Sequence, residues 1–374
     1  MNPTKRNTME DCHVTKHPRS PDWDHDSTFI GVYDGHGGRD IVDFLQDALH
    51  PNIALELNHN DDVDIDNDID NEMDNDMDND NDMDNDNANE KPTRVGSNSI
   101  NTNNSININT SIHERLERAF LITDVQSKMQ KIQTSGATVA ICIIQREVLV
   151  IQQQSQLQSQ SQSQIKVTIH AANAGDARAV LSYRPKLISS ITTDDDDNPD
   201  SNDEYKDNDY KNRQPQGQPQ GQPQAYRLTS DHKADDPKEI ERIENAGGFL
   251  LRNRVLGIMA VARSLGDHGM KEFVIARPFC KSIEFVLPAD YVLSTSSTTS
   301  SADNSICAEF VILACDGIWD VMEDWEAVDL VKGFVAGAVG TGEYERRDLA
   351  AKMLCKEAIR RGTTDNITAL IAWL

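Results

Sequence analysis

Long stretches of this 374-residue chain cannot bury enough apolar surface to fold, and they decide what the rest can become. Residues 58–90 carry 15 acids and no Lys or Arg. Residues 192–224 carry 9 acids and 3 bases and end in the repeat "QPQGQPQGQPQ". Residues 152–164 are nearly all Gln and Ser, and residues 97–111 are mostly Asn, Ser and Thr. Apolar burial offsets the entropy of ordering a chain, so these compositions predict disordered insertions at 58–111, 152–164 and 192–224. Setting the four tracts aside leaves 280 residues, enough for one large domain spanning 1–374 with a substantial core.

The same subtraction changes the meaning of the charge. The formal net charge is −26, of which the two acidic tracts supply −15 and −6, so about −5 remains on the foldable part. No basic patch points to nucleic acid as a partner. The start, "MNPTKRNTMEDCH", has no apolar signal region, and no apolar run reaches membrane-spanning length. The six cysteines show no C-x-x-C pair and no zinc-finger spacing. A reducing compartment, cytoplasm or nucleus, is the expectation.

Between the tracts, periodicity places the elements. "IVDFLQDALHPNIALEL" (41–57) puts Ile41, Phe44, Leu45 and Leu49 on a helical face. "SIHERLERAFLITDVQSKMQKI" (111–132) opens with a capping box, Ser111 and Glu114. Its spacing predicts Ile112, Leu116, Phe120, Val125, Met129 and Ile132 along one side. Short β-rich runs occupy 137–144, 147–151, 165–173 and 177–183, with the Gln/Ser tract lengthening a hairpin between two of them. Residues 236–248 read as a compact helix capped by Asp236 with Pro237 at its first position. A buried strand in 309–320 runs into Asp-Gly, a helix over 346–362 stops at Gly362, and 365–374 is the closing strand. Strands mixed with helices without regular βαβ alternation predict an α+β fold.

The positions of the carboxylates carry the chemistry. Asp34 follows the strand "FIGVY", Asp316 follows "FVILAC", and Asp176 lies between two β runs in "NAGDAR". Asp365 opens the last strand in "TTDN", and Glu10 and Asp11 sit in "RNTMED". An acid at a strand end ordinarily caps a turn. Five segments converging would repel strongly unless cations lay between them. Oxygen donors suit hard divalent ions, and two such ions about 3.5–4 Å apart clamp both the attacking and the leaving oxygen of a displacement at phosphorus. The residues alone therefore point to a metal-dependent hydrolase.

Eight segments now carry a resemblance: "RNTMED", "VYDGHGG", "SGATVA", "NAGDARAVL", "LTSDHK", "RVLGIMAVARSLGD", "ILACDGIWDVM" and "GTTDN". They occur in the order of the motifs of protein phosphatase 2C, the metal-dependent Ser/Thr protein phosphatase (PPM) family, over residues 6–374. The resemblance implies a central sandwich of two antiparallel β-sheets flanked by helices on both faces, with at least two Mg²⁺ or Mn²⁺ ions at one end. It implies Asp34 as the acid bridging both ions and Gly35 as a carbonyl ligand. Asp316 and Asp365 would complete one ion and Glu10 the other, with Asp11 holding waters. Asp176 and Asp320 would serve a third, weaker ion. Arg6 would grip the phosphate, and Thr138 would lie near the reactive water. His36 would protonate the departing oxygen after in-line attack by a water bridging the two ions. Asp267 in "SLGDHG" is assigned a structural role. The resemblance also implies a strand ahead of Arg6, where only five residues stand, so that strand is expected to be truncated or frayed.

Two spacings are set aside. Cys355 and Arg361 match the C-x₅-R of cysteine phosphatases but fall on an amphipathic helix with no glycine-rich loop. The alternating acids of 62–73 mimic a calcium loop, yet Asn67 replaces the needed Gly and Glu72 comes one place early. The resulting expectation is a monomeric phosphoserine/phosphothreonine phosphatase acting on phosphoproteins, stress-activated protein kinases among them. The alternative is a catalytically impaired relative acting as a binding or adaptor protein.

Overall fold

The computed structural model describes residues 5–23, 25–58, 110–155, 158–183, 224–288, 309–337 and 342–374. Most of the insertions expected at 58–111 and 192–224 lie outside the described residues. The first half of the chain forms β1 (Cys12–Lys16), β2 (Ser27–His36), α1 (Asp40–Asn58), α2 (Ile112–Met129), β3 (Gly136–Ser155), β4 (Gln158–Ala174) and β5 (Arg178–Tyr183). There follow β6 (Gln224–Arg227), α3 (Pro237–Asn245), β7 (Leu265–Gly266), β8 (Phe279–Pro288) and β9 (Phe310–Ala314). The last elements are α4 (Asp316–Trp319), α5 (Asp324–Gly337), α6 (Glu343–Arg361) and β10 (Ala369–Trp373).

Two sheets result, one ordered β1-β2-β3-β4-β8 with β7 on the start of β3, the other β10-β9-β5-β6. Among the described residues every strand pair is antiparallel. Alternation along each strand splits its side chains between two cores. Ile30, Val32, Cys142 and Ile144 meet Leu181, Val311 and Leu313 between the sheets. Phe29, Tyr33, Ile141 and Ile143 point the other way, onto Leu45 and Leu49 of α1 and Leu116 and Phe120 of α2. On the far side Phe310 and Ile312 meet Val328 of α5 and Leu354 of α6. Burial on both faces is why these strands read as unbroken apolar runs. The fold is the α+β sandwich, helices outside both sheets.

Several local expectations change. The Gln/Ser tract 152–164, expected to be a disordered insertion, continues β3 and β4 except at 156–157, in register to Ser155↔Gln158. A repeating polar strand satisfies its backbone across the ladder whatever its side chains. The runs 137–144 and 147–151 are one strand. On α2 the capping box is present, but Val125 and Met129 are exposed and the buried line runs through Leu116, Phe120, Thr123 and Ser127. Asp365 lies four residues ahead of β10 rather than opening it. Cys355 and Arg361 both lie on α6, where Arg361 binds Glu357, Glu326 and the Val321 carbonyl, so the C-x₅-R spacing forms no phosphate loop. Among the described residues, no helix is long and apolar enough to cross a membrane.

Candidate metal centre

Backbone register sets the acids at one end of the sandwich. The end of β2 pairs Asp34 with Thr138, Gly35 with Ala137 and His36 with Gly136. The chain then leaves β4 at Ala174 and enters β5, in the other sheet, at Arg178. Asp176 sits on this corner. Gly175 turns it with φ of 110°, and a Cβ there would stand 2.4 Å from Thr138 Cβ, so only glycine fits. Asp316 opens the short α4 directly after β9.

These carboxyls act on one another. Burial raises the Asp34 carboxyl well above its usual range, and Asp316, Asp11, Asp176 and Asp365 push in the same direction. Burial, with Asp176, Asp365 and Asp320, pushes Asp316 up to about 7. Asp176 is pushed up to about 6 by burial, against the nearby Lys233 ammonium and with Asp231 and Asp320. Asp11 is also raised, by burial first and with Asp365 pushing the same way, and Asp34 is under the influence of both Asp11 and Asp316. Asp34 thus stands between the N-terminal segment and α4.

The expected site residues are not placed alike. Arg6 Nη2 bonds Asp365 Oδ2 at 2.5 Å. Lys233 Nζ lies 3.2 Å from Asp320 Oδ1. Glu10 approaches by its backbone: a Cβ on Gly35 would stand 2.4 Å from the Glu10 carbonyl oxygen, while the Glu10 carboxylate accepts from Thr8 Oγ1 at 3.2 Å. His36 Nε2 lies 3.0 and 2.8 Å from the two Asp267 oxygens.

The donor set fits divalent cations. Asp11 Oδ1, Thr138 Oγ1 and Asp316 Oδ1 are buried with no hydrogen-bond partner, although such atoms are costly to leave unpaired. Asp11 Oδ2, by contrast, accepts from Thr368 Oγ1 at 2.8 Å. Asp34, Cys315 and Asp316 also each offer a ligand atom within 4.8 Å of the others'. The Cys315 thiol is not part of that set. Burial first, then three acids, keep it protonated, and its sulfur accepts from the Thr368 amide at 3.1 Å. What remains is all oxygen, the preference of Mg²⁺ and Mn²⁺.

Residues outside the expected set support these acids. Arg39 Nη1 donates to the carbonyls of Met9 (2.7 Å) and Asp11 (3.3 Å), tying the N-terminal acids to α1. Arg178 pairs with Asp231 and Asp324, each at 2.5 Å, and its guanidinium lies 5.0 Å from the Trp319 ring centroid on α4. Arg39 is adjacent to the "DGHGG" segment and Arg178 to "GDA", a local signal that sequence reading passed over.

Comparison with known proteins agrees with the architecture. The family described as Protein phosphatase 2C matches residues 2–103 and 220–367. "Protein phosphatase 2C homolog 1" of Saccharomyces cerevisiae is 29% identical over 263 residues, 70% of this chain and 69% of that protein. Its namesake in Schizosaccharomyces pombe is 26% identical over 369 residues, 98% of this chain and 69% of that protein. The crystal structure of a phosphatase from a pathogenic strain of Toxoplasma gondii shares the fold, with a TM-score of 0.54 at 18% identity over 99% of this chain and 89% of that one. The chain belongs to the protein phosphatase 2C family and is a protein phosphatase of that type.

Proposed function

We propose that this phosphatase hydrolyses phosphoserine and phosphothreonine side chains of proteins at the acid cluster, with at least two Mg²⁺ or Mn²⁺ ions bound there. The observation that carries the reading is the set of buried, unpartnered oxygens on Asp11, Thr138 and Asp316 around Asp34. Asp34, the Gly35 carbonyl, Asp316 and Asp365 would hold ions, with Glu10 and Asp11 on the N-terminal side and Asp176 and Asp320 at a third position. When bound, such ions polarise the phosphoryl group and make water a better nucleophile near neutral pH.

The chain's own residues supply the remainder. Arg6, close to Asp365, presents a planar fork of donors suited to phosphate oxygens. The imidazole of His36 is one-third exposed, so a substrate oxygen can reach it. As the P–O bond breaks, its electron pair stays on the serine or threonine oxygen, which takes a proton from His36. Phosphoproteins are the substrates. Members of stress-activated kinase cascades fall within that class.

The test is hydrolysis of a phosphoserine peptide by the purified chain with added Mn²⁺. Activity is expected to vanish with chelator and in Asp34→Asn and Asp316→Asn. Chelator-resistant turnover, or full activity in either variant, overturns the assignment. His36→Ala is expected to slow the phosphoserine peptide far more than an aryl phosphate, whose leaving group needs no proton.

A further inference from the structure

We infer that Asp267 is a positioning residue for the His36 proton donor, fixing which imidazole nitrogen faces the substrate; this rests on the reading of His36 given above. The side chains come together from 231 residues apart, through the pairing of Gly136 with both His36 and Gly266. His36 Nε2 meets the Asp267 carboxylate in a forked contact at 3.0 and 2.8 Å. Asp267 is 8% exposed, whereas the His36 side chain is 33% exposed. One partner is anchored in the interior and the other opens to solvent.

The surroundings hold this carboxylate in place. Ser264 Oγ donates to Asp267 Oδ2 at 2.5 Å, and the Asp267 amide donates to the Ser135 carbonyl at 3.1 Å. Lys271 Nζ reaches the Ser264 carbonyl at 3.0 Å and Asp124 Oδ1 at 3.1 Å, and Asp124 in turn accepts from the Gly266 amide at 2.8 Å. Asp267 itself adopts a left-handed φ of 47°, which an ordinary side chain adopts at a cost. The carboxylate lies where a Cβ on Gly136 would go, 2.0 Å from Asp267 Oδ2, so the strand is kept bare to admit it. Ser264 Oγ and the backbone bond to Ser135 suffice to seat the acid. The forked contact to the one-third-exposed histidine is left over.

The chemical consequence follows from the atoms. With Nε2–H held on Asp267, Nδ1 is the nitrogen free to carry the transferable proton. When the serine or threonine oxygen departs with its bonding electrons, the Nδ1 proton passes to it. A neutral imidazole then remains, its Nε2–H still on Asp267. The attacking water gives its proton to solvent, and solvent recharges Nδ1 for the next turnover. A carboxylate can only accept, so it keeps the proton on Nε2 and disfavours the tautomer in which Nε2 is bare. An Asn at 267 can turn its amide NH₂ toward Nε2 and so favour the wrong tautomer.

The experiment compares a phosphoserine peptide with p-nitrophenyl phosphate in Asp267→Asn, His36→Ala and the double variant, with Mn²⁺ affinity and thermal stability measured alongside. A positioned general acid contributes about 10²–10⁴-fold, so Asp267→Asn is expected to lower kcat on the peptide by about tenfold or more. Its loss on the aryl ester is expected to be about tenfold smaller, and the double variant no slower than His36→Ala. Ser264→Ala, which only loosens the carboxylate, is expected to give the same selective pattern at smaller size and serves if Asp267→Asn does not fold. Equal losses on both substrates, or additive losses in the double variant, overturn the inference. If His36→Ala is itself unselective, the general-acid reading of His36 falls; if His36→Ala is selective and Asp267→Asn is not, only the role of Asp267 falls.

Discussion

A buried carboxylate cluster leaves a thermodynamic signature before any catalysis is measured. Asp316, pushed up to about 7, and Asp176, pushed up to about 6, bind protons in the folded state that the unfolded chain has already released near pH 4. The sign follows: ionising them costs folding free energy as pH rises through the folded values, and that cost is complete by about pH 8. His50 and His232, held neutral by burial, act oppositely below about pH 6.5, so the informative window lies above that. Metal-free protein is therefore expected to melt at a higher temperature near pH 6.5 than near pH 8, and saturating Mn²⁺ to raise the midpoint more at pH 8. Asp34→Asn, which removes the ionisable group buried among the other acids, is expected to melt above the wild type without metal and to lose the Mn²⁺ shift. Differential scanning calorimetry across the window checks both. At this scale Asp34, Asp176 and Asp316 were legible because each stands at the end of an apolar strand run beside a glycine. The partner of Asp267 was not. The contact of Asp267 with His36 depends on β7 pairing with the start of β3, a fact with no trace in either local sequence.

Elements reveal where pattern reading succeeds and where it slips. The start of α2 could be read because capping is local: Ser111 Oγ accepts from the Glu114 amide at 3.2 Å and Glu114 Oε2 accepts from the Ser111 amide at 2.8 Å. Ser111→Ala removes one arm and is expected to cost about 1 kcal/mol, seen as a lower urea midpoint with activity retained at room temperature. The buried face of the same helix was misread for a geometric reason. Residues 125 and 129 lie about 140° and 180° around the helix from Phe120, whereas Leu116, Thr123 and Ser127 stay on its side. Two of those positions are polar, and Asn52 of α1 donates to Thr123 Oγ1 at 2.8 Å, so a search for apolar periodicity passes over them. The Gln/Ser ribbon slipped in the opposite sense. Composition reports on side-chain burial, and β3 and β4 meet there through backbone pairing.

The class of fold was readable from the mixture of apolar runs and amphipathic helices, but the strand order was not. β4 and β5 are consecutive and separated by three residues, yet they lie in different sheets. Neighbouring strands ordinarily pair, so the corner at Asp176 is a whole-molecule property. The sheet carrying Asp316 is held by the core between the sheets, and Leu313, fully buried on β9 three residues ahead of that acid, separates scaffold from site. Leu313→Ala leaves a cavity that close-packed neighbours refill only in part, at about 2–5 kcal/mol. The backbone of β9 is nonetheless hydrogen-bonded on both flanks, Leu313 opposite Leu370 of β10 and Ala179 of β5, so Asp316 should keep its place. The expected outcome is a lower urea midpoint with an unchanged slope, and a Mn²⁺-induced gain equal to that of the wild type. At a free ion concentration of one hundred times Kd that gain is about 2.7 kcal/mol. A much smaller gain in Leu313→Ala would mean that side-chain packing between the sheets, rather than the strand ladder, sets the spacing of the acids.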